Sequence, residues 1–489
     1  MAREFFKGIF SLNRNLDLFD GKQIAHFGTL VDVLKSLKQN LRIVVYAYEI
    51  DSIYLDACAL KLPKSLKVRL KSEFGATILS IKYFNVEIKN AKEFYKGLSL
   101  GEIAEIENIS EQDELKLVHA AIDRRRLATP NQTPAELPST LIGYVKRDLY
   151  SALFKPQTKT GYFHYLAESI TRETHDVFAS CKSGGLCGMD YDLKGMRIKV
   201  NSYDFTSFYP WIMATQKFPF HKYQIFYDVP ESALDRAPLW IATLDLEYAH
   251  PKSLNWLKLT DTTVTLTSLD FEILRSDYVF KIKSVKCFIP FTHPRQLPGP
   301  LISKIQTAFE KKKNAQSAAE KHSSKVFLNS IFGLFCQNRD KYGQQIDCYA
   351  AKLRPYVIGI FVAAYGRFYL WYAMRNCAPI YWDTDGFKTF KTVDFKKINR
   401  ERGVLSGDMG SLKFEEENAD FCAFGNKQYF QNGVLKLSGT DGSLALKYFT
   451  EILGRFPRCG DEIPPEYTSR SYVDFKTGTS FKTKYTIGE

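Results

Sequence analysis

Two acidic residues stand two positions apart between apolar, strand-like runs, and they constrain this chain more than any other feature of its sequence. They are Asp383 and Asp385, within the segment Tyr-Trp-Asp-Thr-Asp-Gly-Phe-Lys that ends at Lys388. On an extended chain they would point to the same side, about 7 Å apart at Cα. Because two carboxylates on one face repel each other unless a cation neutralises them, a metal site explains the pair. The alternative is a polar hairpin turn, since Asp-Gly is a common turn pair.

A third carboxylate, Asp204, ends an apolar strand-like run over 196–203 and precedes a helix that we place near Pro210. Mg²⁺ prefers oxygen ligands and retains waters, so an acidic residue at a strand end suits that ion. The turn into the helix presents backbone N–H groups, which favour phosphate. Considered alone, an Asp at a strand end is more often an ordinary turn residue.

A predicted helix carries a polar stripe. Lys321, Lys325 and Asn329 fall at positions i, i+4 and i+8, and Phe332 lies close to the same stripe. From Lys325 to Phe332 the helix rises roughly 10 Å, about the reach from a triphosphate to a base. The stripe offers a cation, an amide and an aromatic face, and the adjacent Gly333 permits close approach. Considered alone, an amphipathic surface helix explains these residues more simply.

The composition fits a folded chain with a polyanionic partner. Of the 489 residues 45% are hydrophobic, which excludes a disordered or low-complexity chain. Lys and Arg outnumber Asp and Glu by 67 to 54, and the net charge of +13 makes nucleic acid the default partner. The nine cysteines form no Cys-x-x-Cys pair, so a zinc ribbon is not expected. Without a recognisable targeting segment, we predict reduced thiols and a cytoplasmic location.

Mixed α and β patterns follow along the chain. The run 128–139 holds three prolines and several small polar residues, and it is the best candidate for a domain boundary. The most apolar run has only 11 residues, 356–366, which is too short to cross a bilayer, so no membrane partner is expected. Periodicity predicts a buried strand over 41–46, strands over 238–249 and 262–268, helices over 301–335 with a break near 314–317, a buried helix over 356–375, and strand-like runs over 378–391 and 421–437.

The three segments occur in one order along the chain. Asp-x-x-Ser-Phe-Tyr-Pro begins at Asp204, Lys-x-x-x-Asn-Ser-x-Phe-Gly begins at Lys325, and Tyr-x-Asp-Thr-Asp begins at Tyr381. This order closely resembles motifs A, B and C of family B DNA polymerases. Chance agreement across all three segments is very improbable, so the resemblance outweighs the simpler reading of each segment alone.

Four further features resemble the protein-primed branch of that family, found in phages and linear plasmids. Lys182-Ser-Gly-Gly precedes motif A and resembles the Tyr-x-Gly-Gly that touches the template strand, without its Tyr. Lys313 resembles a second lysine for the phosphates of the incoming nucleotide. Lys-Gln-Tyr from Lys427 resembles the Lys-x-Tyr that holds the primer end. Residues 264–291 resemble part of an insertion that contacts a terminal protein.

The resemblance covers roughly 140–445 and implies an α+β, right-hand polymerase with an antiparallel-sheet palm, helical fingers and a small thumb. A degenerate RNase H-like exonuclease domain would precede it. The implied boundaries are 1–139 for the exonuclease-like domain, 140–300 for the first part of the palm with an insertion at about 216–300, 301–345 for the fingers, 346–425 for the rest of the palm, and 426–489 for the thumb.

The resemblance also implies a role for each matching residue. Asp204, Asp383 and the Phe205 carbonyl would bind two Mg²⁺ ions, replaceable by Mn²⁺, and Asp385 would complete the catalytic set. The predicted nucleotide-binding residues are Lys313, Lys325, Asn329, Ser207, Phe208 and Tyr209. Tyr209 would select dNTPs by clashing with a 2′-hydroxyl. The predicted DNA-binding residues are Gly184, Gly185, Phe332, Gly333, Thr384, Lys427 and Tyr429. We expect a monomer that extends a DNA primer on its template, or a terminal-protein hydroxyl.

The N-terminal region departs from the family pattern. No Asp-x-Glu occurs in the first 50 residues. The second exonuclease motif keeps Asp51 but has Ala47 at the Asn position, and the third is at best His119-x-x-x-Asp123. Metal-dependent hydrolysis needs a cluster of carboxylates, and one surviving acid cannot hold two ions. We therefore predict that 3′→5′ proofreading is absent.

Motifs B and C also depart from the pattern. Only 54 residues separate Asn329 from Asp383, so the segment 337–353 has room for a short loop where relatives insert a strand-displacement hairpin. This argues against high processivity and unaided strand displacement. Gly386 stands where Ser is usual and Phe332 where Tyr is usual, and either change could alter fidelity.

Two other functions stay open. One is a non-catalytic nucleic-acid-binding scaffold, against which the three intact carboxylates argue. The other is a template-independent or primer-making nucleotidyltransferase. Tyr209 argues against the use of rNTPs, and template dependence in an extension assay separates this function from the leading one.

Overall fold

The computed structural model divides the chain into two compact units. The first contains Met1–Asp148, Glu310–Phe327 and Ile463–Tyr485, and the second contains Leu149–Phe309, Leu328–Glu462 and Thr486–Glu489. The structure describes residues 10–12, 15–19, 24–37, 43–48, 50, 53, 65–72, 76–91, 101, 103–104, 114, 116–119, 172–181, 183–219, 224–335, 356–468, 471–474 and 479–488. The candidate linker 128–139, Asp51, Asp123, Lys182 and the segment 337–353 lie outside these residues.

The described α-helices are α1 (Leu30–Ser36), α2 (Arg172–Cys181), α3 (Phe208–Thr215), α4 (Ser268–Asp277), α5 (Gly299–Lys313), α6 (Ala318–Phe335), α7 (Tyr356–Met374), α8 (Phe395–Glu401) and α9 (Gly442–Lys447). The described strands are β1 (Phe10–Leu12), β2 (Asp17–Phe19), β3 (Ile24–His26), β4 (Ile43–Ala47), β5 (Leu66–Ser72), β6 (Ala76–Tyr83), β7 (Val86–Asn90), β8 (Cys187–Met189), β9 (Ile198–Phe205), β10 (Phe226–Val229), β11 (Leu239–Pro251), β12 (Thr263–Thr267), β13 (Tyr278–Phe291), β14 (Pro379–Asp383), β15 (Gly386–Thr389), β16 (Leu412–Gly425), β17 (Gln428–Gln431), β18 (Val434–Lys436), β19 (Glu462–Ile463), β20 (Ser471–Asp474), β21 (Thr479–Lys482) and β22 (Tyr485–Thr486). Short 3₁₀ segments lie at Tyr191–Leu193, Glu231–Asp235 and Pro465–Tyr467, and a π-helical turn lies at Tyr448–Ile452.

The first unit is built on a mixed seven-stranded sheet in the order β3-β2-β1-β4-β7-β6-β5. β1 pairs antiparallel with β2 and parallel with β4, and β4 pairs parallel with β7. The predicted buried strand is β4, whose Val45 is fully buried at the centre of the sheet with Ile88 of β7. A strand that is buried on both faces of a sheet has a nearly continuous run of apolar residues in its sequence. This is why the strand could be predicted.

The second unit contains an antiparallel seven-stranded sheet in the order β18-β17-β16-β9-β15-β14-β8. The predicted strand-like run over 378–391 is the hairpin of β14 and β15. β9 lies in the middle of the sheet, between β15 and β16. This sheet carries all three predicted carboxylates on or beside neighbouring strands.

Helix α7 is the core helix of the second unit and packs against α3 and α4. Its sequence is apolar all round, and a helix with no polar face is stable only when it is buried on every side. The stretch Val357–Met374 is long and apolar enough to cross a membrane by length and composition, but 83% of it is buried inside the protein. The predicted buried helix over 356–375 is confirmed as a core helix.

A second sheet in this unit has the order β10-β13-β11-β12, and α4 packs on it. The strands predicted over 238–249 and 262–268 are β11 and β12. The predicted break between two helices is also confirmed, since α5 ends at Lys313 and α6 begins at Ala318. The helix placed near Pro210 begins earlier, at Phe208, because Ser207 already forms its N-terminal cap residue.

Candidate active site

The antiparallel sheet brings Asp204 and Asp383 to the two sides of one glycine. Gly386, the first residue of β15, is paired with Asp204 of β9 on one side and with Asp383 of β14 on the other. Directly opposed residues of antiparallel strands point to the same face of a sheet. Both carboxylates therefore project from one face, with Cα atoms about 10 Å apart, which is two strand spacings.

Gly386 leaves the space between these carboxylates open. A Cβ atom at this position would lie 2.9 Å from the carbonyl oxygen of Tyr203 and 3.0 Å from Oδ1 of Asp204. Both distances are shorter than an ordinary non-bonded contact, so a side chain here would have to displace the carboxylate or the backbone beside it. The glycine that the motif comparison marks as a departure is thus part of the site's geometry.

The turn between β14 and β15 corrects one premise of the sequence analysis. Asp383 and Asp385 are not on an extended chain, because Thr384 has a φ of +64° and the Asp385 N–H donates to the Asp383 carbonyl at 2.6 Å. The hairpin turn, which the sequence analysis kept as the alternative to a metal site, is the local structure. The Asp385 carbonyl accepts from the Phe205 N–H at 2.8 Å, so the turn is tied directly to the end of β9.

Asp204 is largely buried and has two acidic and two basic neighbours. Burial, followed by the charges of Asp385 and Glu415, raises the pKa of Asp204 to about 7, against the opposing effect of Lys413 and Lys388. Lys413 Nζ lies 3.6 Å from Oδ2 of Asp204. Crowded carboxylates of this kind favour a bound cation, because a cation removes their mutual repulsion.

Asp383 is held by its neighbours through one oxygen. The Thr384 hydroxyl donates to Oδ1 at 2.7 Å, the Cys187 thiol donates to the same atom at 3.2 Å, and Lys427 Nζ lies 3.6 Å away. Burial raises the pKa of the Cys187 thiol, so it stays protonated and able to donate. Sequence reasoning missed Cys187 because its only signal is a strand pairing with a residue 196 positions later.

The residues present fit a hard divalent cation, although they do not form a closed ligand cage. Within the described residues, no three His, Cys, Asp or Glu side chains come close enough together to hold a metal ion. Mg²⁺ is commonly bound by one or two carboxylates plus waters and substrate phosphates, rather than by an all-protein cage. Asp204 and Asp383 match that donor set, and Mg²⁺ binding stays a prediction.

A cavity of about 430 Å³ adjoins Asp383 and collects many of the predicted binding residues. Its lining residues are Ser183, Gly184, Gly185, Cys187, Tyr209, Phe332, Gly359, Ile360, Ala363, Thr384 and Lys427. The Tyr209 and Phe332 rings stack at 4.2 Å with an angle of 15° between their planes. Gly359, Ile360 and Ala363 belong to α7, whose apolar sequence indicated a core helix and gave no sign that it lines a site.

Two glycines make room for the Tyr209 ring. A Cβ atom on Gly185 would lie 2.7 Å from the Tyr209 hydroxyl and 3.0 Å from Cγ2 of Thr384. A Cβ atom on Gly366 of α7 would lie 3.0 Å from Cε1 of Tyr209. The ring is thus enclosed by Phe332 and by two backbone segments that approach it closely, and its position is well defined.

The Gly184–Gly185 segment is anchored by Arg367 of α7. The Arg367 Nη1 group donates to the carbonyls of Ser183 and Gly184 at 3.0 and 2.8 Å. Its other two nitrogens, Nε and Nη2, donate to the two carboxylate oxygens of Asp270, both at 2.7 Å. Both side chains are buried, so this bidentate pair fixes the loop beside the cavity from within the core. Neither residue was singled out from the sequence. Arg367 is a single charge in an apolar helix, and Asp270 fits an ordinary capping box with Thr267, so no local pattern indicates that the two residues pair.

The Lys-x-Tyr segment lies on the other side of Asp383. Lys427 has a φ of +60°, and its N–H donates to the Tyr381 hydroxyl at 3.0 Å. The Tyr429 ring packs with Tyr381 at 5.3 Å and with Phe421 at 5.6 Å. Lys427 is therefore directed to Asp383 and the cavity, whereas Tyr429 is part of an aromatic cluster on the same sheet.

Four predicted residues of the second unit, Ser207, Phe208, Asn329 and Gly333, do not line this cavity. Phe208 is buried and stacks on Phe205 at 4.3 Å, so its side chain belongs to the core and only its backbone could contact a nucleotide. Ser207 has a φ of +47° and is the N-cap residue that precedes α3. The remaining predicted residues are the exposed Asn329 and Gly333 of the second unit and the exposed Lys313 and Lys325 of the first. Their contacts with substrate stay predictions.

Comparison with solved structures identifies the fold. Phi29 DNA polymerase complexed with primer-template DNA (post-translocation binary complex) matches with a TM-score of 0.70 and 13% identity, over 98% of this chain and 100% of that chain. Phi29 DNA polymerase complexed with single-stranded DNA matches with a TM-score of 0.67 and 13% identity, over 98% of each chain. The ternary complex with primer-template DNA and incoming nucleotide substrates matches with a TM-score of 0.64 and 14% identity, over 88% of this chain and 87% of that chain.

No protein-family model matches the sequence, and no curated protein does. The structural likeness nevertheless extends over nearly the whole chain. The chain has the fold of Phi29 DNA polymerase, a protein-primed family B enzyme. At the level of the fold, this confirms the resemblance predicted from the order of the three motifs.

Proposed function

We propose that this protein is a template-directed DNA polymerase that adds dNTPs to a primer end by metal-assisted nucleotidyl transfer. The observation that carries the proposal is the placement of Asp204 and Asp383 on one face of the sheet, on either side of Gly386. Asp383 also contacts Thr384 and Lys427, which line the cavity together with Tyr209 and Phe332. The fold supports it, because solved structures with this fold include complexes with primer-template DNA and incoming nucleotide.

The carboxylates of Asp204 and Asp383, with the Phe205 carbonyl, would hold two Mg²⁺ ions, and Asp385 would support them. When bound, the ions would lower the pKa of a primer hydroxyl and neutralise the triphosphate. Lys427 would hold the primer end, since its ammonium group already lies beside Asp383. The protein's own contribution is to fix these groups in advance, so that little reorganisation is needed as charge develops.

The cavity would hold the nascent base pair. Phe332 would support the base. The Tyr209 ring, which stacks on Phe332 and is confined by Gly366, would meet the 2′ position of the sugar and exclude rNTPs. Gly185 and Thr384 would lie against the template strand. Ser207 and Phe208 would offer backbone N–H groups to the triphosphate, and Asn329 and Gly333 of α6 would contact the nucleotide and the DNA. Lys313 and Lys325 stay predicted phosphate ligands.

The first unit supports a polymerase without proofreading. Its β1 consists of Phe10–Leu12 and contributes no carboxylate, and Ala47 ends the neighbouring β4 where an exonuclease would need an amide. Because hydrolysis by two metal ions needs several carboxylates in one place, this unit would act in shaping the path of DNA rather than in excision.

Primer extension tests the proposal. The wild-type protein should extend a labelled primer on its template with dNTPs and Mg²⁺, and Asp383→Asn should reduce the rate by at least about a hundredfold. Asp235→Asn is the matched control, because it removes the same charge from an exposed side chain of the same unit. If the protein binds the duplex but extends neither a DNA end nor a protein hydroxyl, it is instead a non-catalytic scaffold.

A further inference from the structure

Arg402 directly follows α8 and packs against the turn 205–207. This turn follows Asp204 and contains Phe205, the two proposed metal ligands at the end of β9. The Arg402 guanidinium carbon is 4.6 Å from the centroid of the Phe205 ring, 4.1 Å from that of Trp211 and 5.1 Å from that of Tyr369. Phe205 ends β9, and Trp211 lies in α3, so the cation contacts the elements on both sides of the turn. No motif of the sequence includes this arginine.

The guanidinium group is stabilised by aromatic rings instead of a carboxylate. Its Nη1 donates to the Gly410 carbonyl at 2.9 Å, whereas Nε and Nη2 are buried without a hydrogen-bond partner in the described part of the chain. Burial lowers the pKa of Arg402 to about 10, so the group is still charged at neutral pH. A buried charge is costly unless something compensates it, and three aromatic faces around a guanidinium provide that compensation.

Gly410 connects Arg402 to the backbone of the same turn. The Gly410 N–H donates to the Thr206 carbonyl at 2.6 Å, and the Thr206 N–H donates to the Ser411 carbonyl at 2.9 Å. Gly410 has a φ of +84°, and a Cβ atom there would lie 2.1 Å from Cγ of Trp211. The loop can therefore approach the turn only with glycine at this position, and Arg402 binds the carbonyl that it presents.

The turn itself needs such support. Ser207 has a φ of +47°, a left-handed conformation that side-chain-bearing residues adopt at a cost and keep only where the surroundings impose it. Ser207 caps α3 and so sets the direction in which the helix leaves the turn. The peptide that carries the Phe205 carbonyl is held at its other end, where the Thr206 N–H donates to the Ser411 carbonyl. Arg402 supports the turn through two contacts, which are the ring of Phe205 and the carbonyl of Gly410, whose N–H donates to Thr206.

We propose that Arg402 is a positioning residue for nucleotidyl transfer, which holds the 205–207 turn in the geometry that metal and triphosphate binding require. The inference rests on the proposed function and deepens it, since Arg402 acts through the Phe205 ring and through Gly410, which bonds Thr206, and touches no substrate. Loss of the cation would leave the fold and duplex binding in place, because Asp204 and β9 are held independently by β15 and β16.

The test compares Arg402→Met, Arg402→Lys and Arg400→Met. Methionine fills much of the same volume without charge, lysine keeps the charge among the rings, and Arg400 is an exposed arginine of the preceding helix that serves as the matched control. Each variant is measured for the rate of single-nucleotide addition, the dNTP and Mg²⁺ concentrations at half-maximal rate, the Kd for primer-template, and the thermal midpoint. The chain has five tryptophans, so acrylamide quenching of Trp fluorescence is taken as the difference from the same protein carrying Trp211→Phe. This difference reports on the surroundings of Trp211 without requiring activity.

Arg402→Met should slow nucleotide addition by about ten- to a hundredfold and raise the Mg²⁺ concentration for half-maximal rate, with the Kd for duplex unchanged. It should also increase quenching, while Arg402→Lys restores part of the rate and Arg400→Met matches the wild type. An unchanged rate in Arg402→Met overturns the inference. If Arg402→Met binds the duplex more weakly and its thermal midpoint falls in parallel, the role is merely structural and the inference is also overturned. An inactive wild type refutes the proposed function itself, an outcome separate from any difference among the variants.

Discussion

Replacing Asp204 by asparagine should abolish activity and yet stabilise the metal-free protein. Burial and the charges of Asp385 and Glu415 raise the pKa of Asp204 to about 7, above its ordinary value of 3.8. The folded state therefore binds this proton more tightly than the unfolded state does. As the pH rises through the interval between these two values, the unfolded chain loses its proton first, and the free energy of unfolding falls. An asparagine side chain at this position does not titrate, so the variant would not show this loss.

The size of the effect follows from the same pKa values. The difference between 3.8 and about 7 corresponds to roughly 4 kcal/mol without solvent screening. The side chain is 30% exposed and Lys413 lies 3.6 Å away, so the effective figure is reduced to about 1–2 kcal/mol. For a unit of this size that corresponds to a rise of about 2–6 °C in Tm.

Thermal unfolding of Asp204→Asn and wild type, measured in EDTA from pH 4.5 to 8.5, tests this reasoning. The two Tm values should be close at the acidic end and should separate until about pH 8, with the variant higher. The exposed Asp235→Asn serves as the control and should follow the wild type at every pH. Addition of Mg²⁺ should raise the Tm of the wild type more than that of Asp204→Asn. A variant that is less stable at pH 8, or a difference that does not depend on pH, would refute the argument.

Further predictions concern the cavity and its supports. Tyr209→Ala should increase the incorporation of rNTPs relative to dNTPs in single-nucleotide extension, and an unchanged ratio would exclude a steric role for the ring. Gly366→Ala should slow dNTP addition while leaving the helix content by circular dichroism intact, because the added methyl group meets Tyr209 at 3.0 Å. Arg367→Met should lower the free energy of unfolding in urea by about 3–5 kcal/mol, since it leaves the buried Asp270 carboxylate unpaired. The exposed Arg400→Met should leave that free energy unchanged. The wild-type protein should not shorten a labelled primer with a mismatched 3′ end, and metal-dependent shortening would contradict the predicted loss of proofreading.

Local patterns in the sequence were sufficient for several of the helices and strands and for naming candidate residues of the site. The apolar run that forms α7, the break between α5 and α6, and the strands β4, β11 and β12 all follow from periodicity and burial, which depend on neighbouring residues. The carboxylates Asp204 and Asp383 were singled out by their order along the chain with the lysine helix, because an acidic residue at a strand end is by itself more often a turn residue. Their order with the lysine helix was enough to predict the fold.

The tertiary structure decided how these residues meet. The pairing of Gly386 with both Asp204 and Asp383, the donation from Cys187 to Asp383, and the closeness of Gly366 to Tyr209 join segments far apart in the chain. The tertiary structure also places Asp383 and Asp385 in a hairpin turn and not on an extended strand. The register of strands and the packing of side chains are set by the whole core at once. A local pattern can therefore identify which residues are available for chemistry, but only the folded chain determines which of them are neighbours.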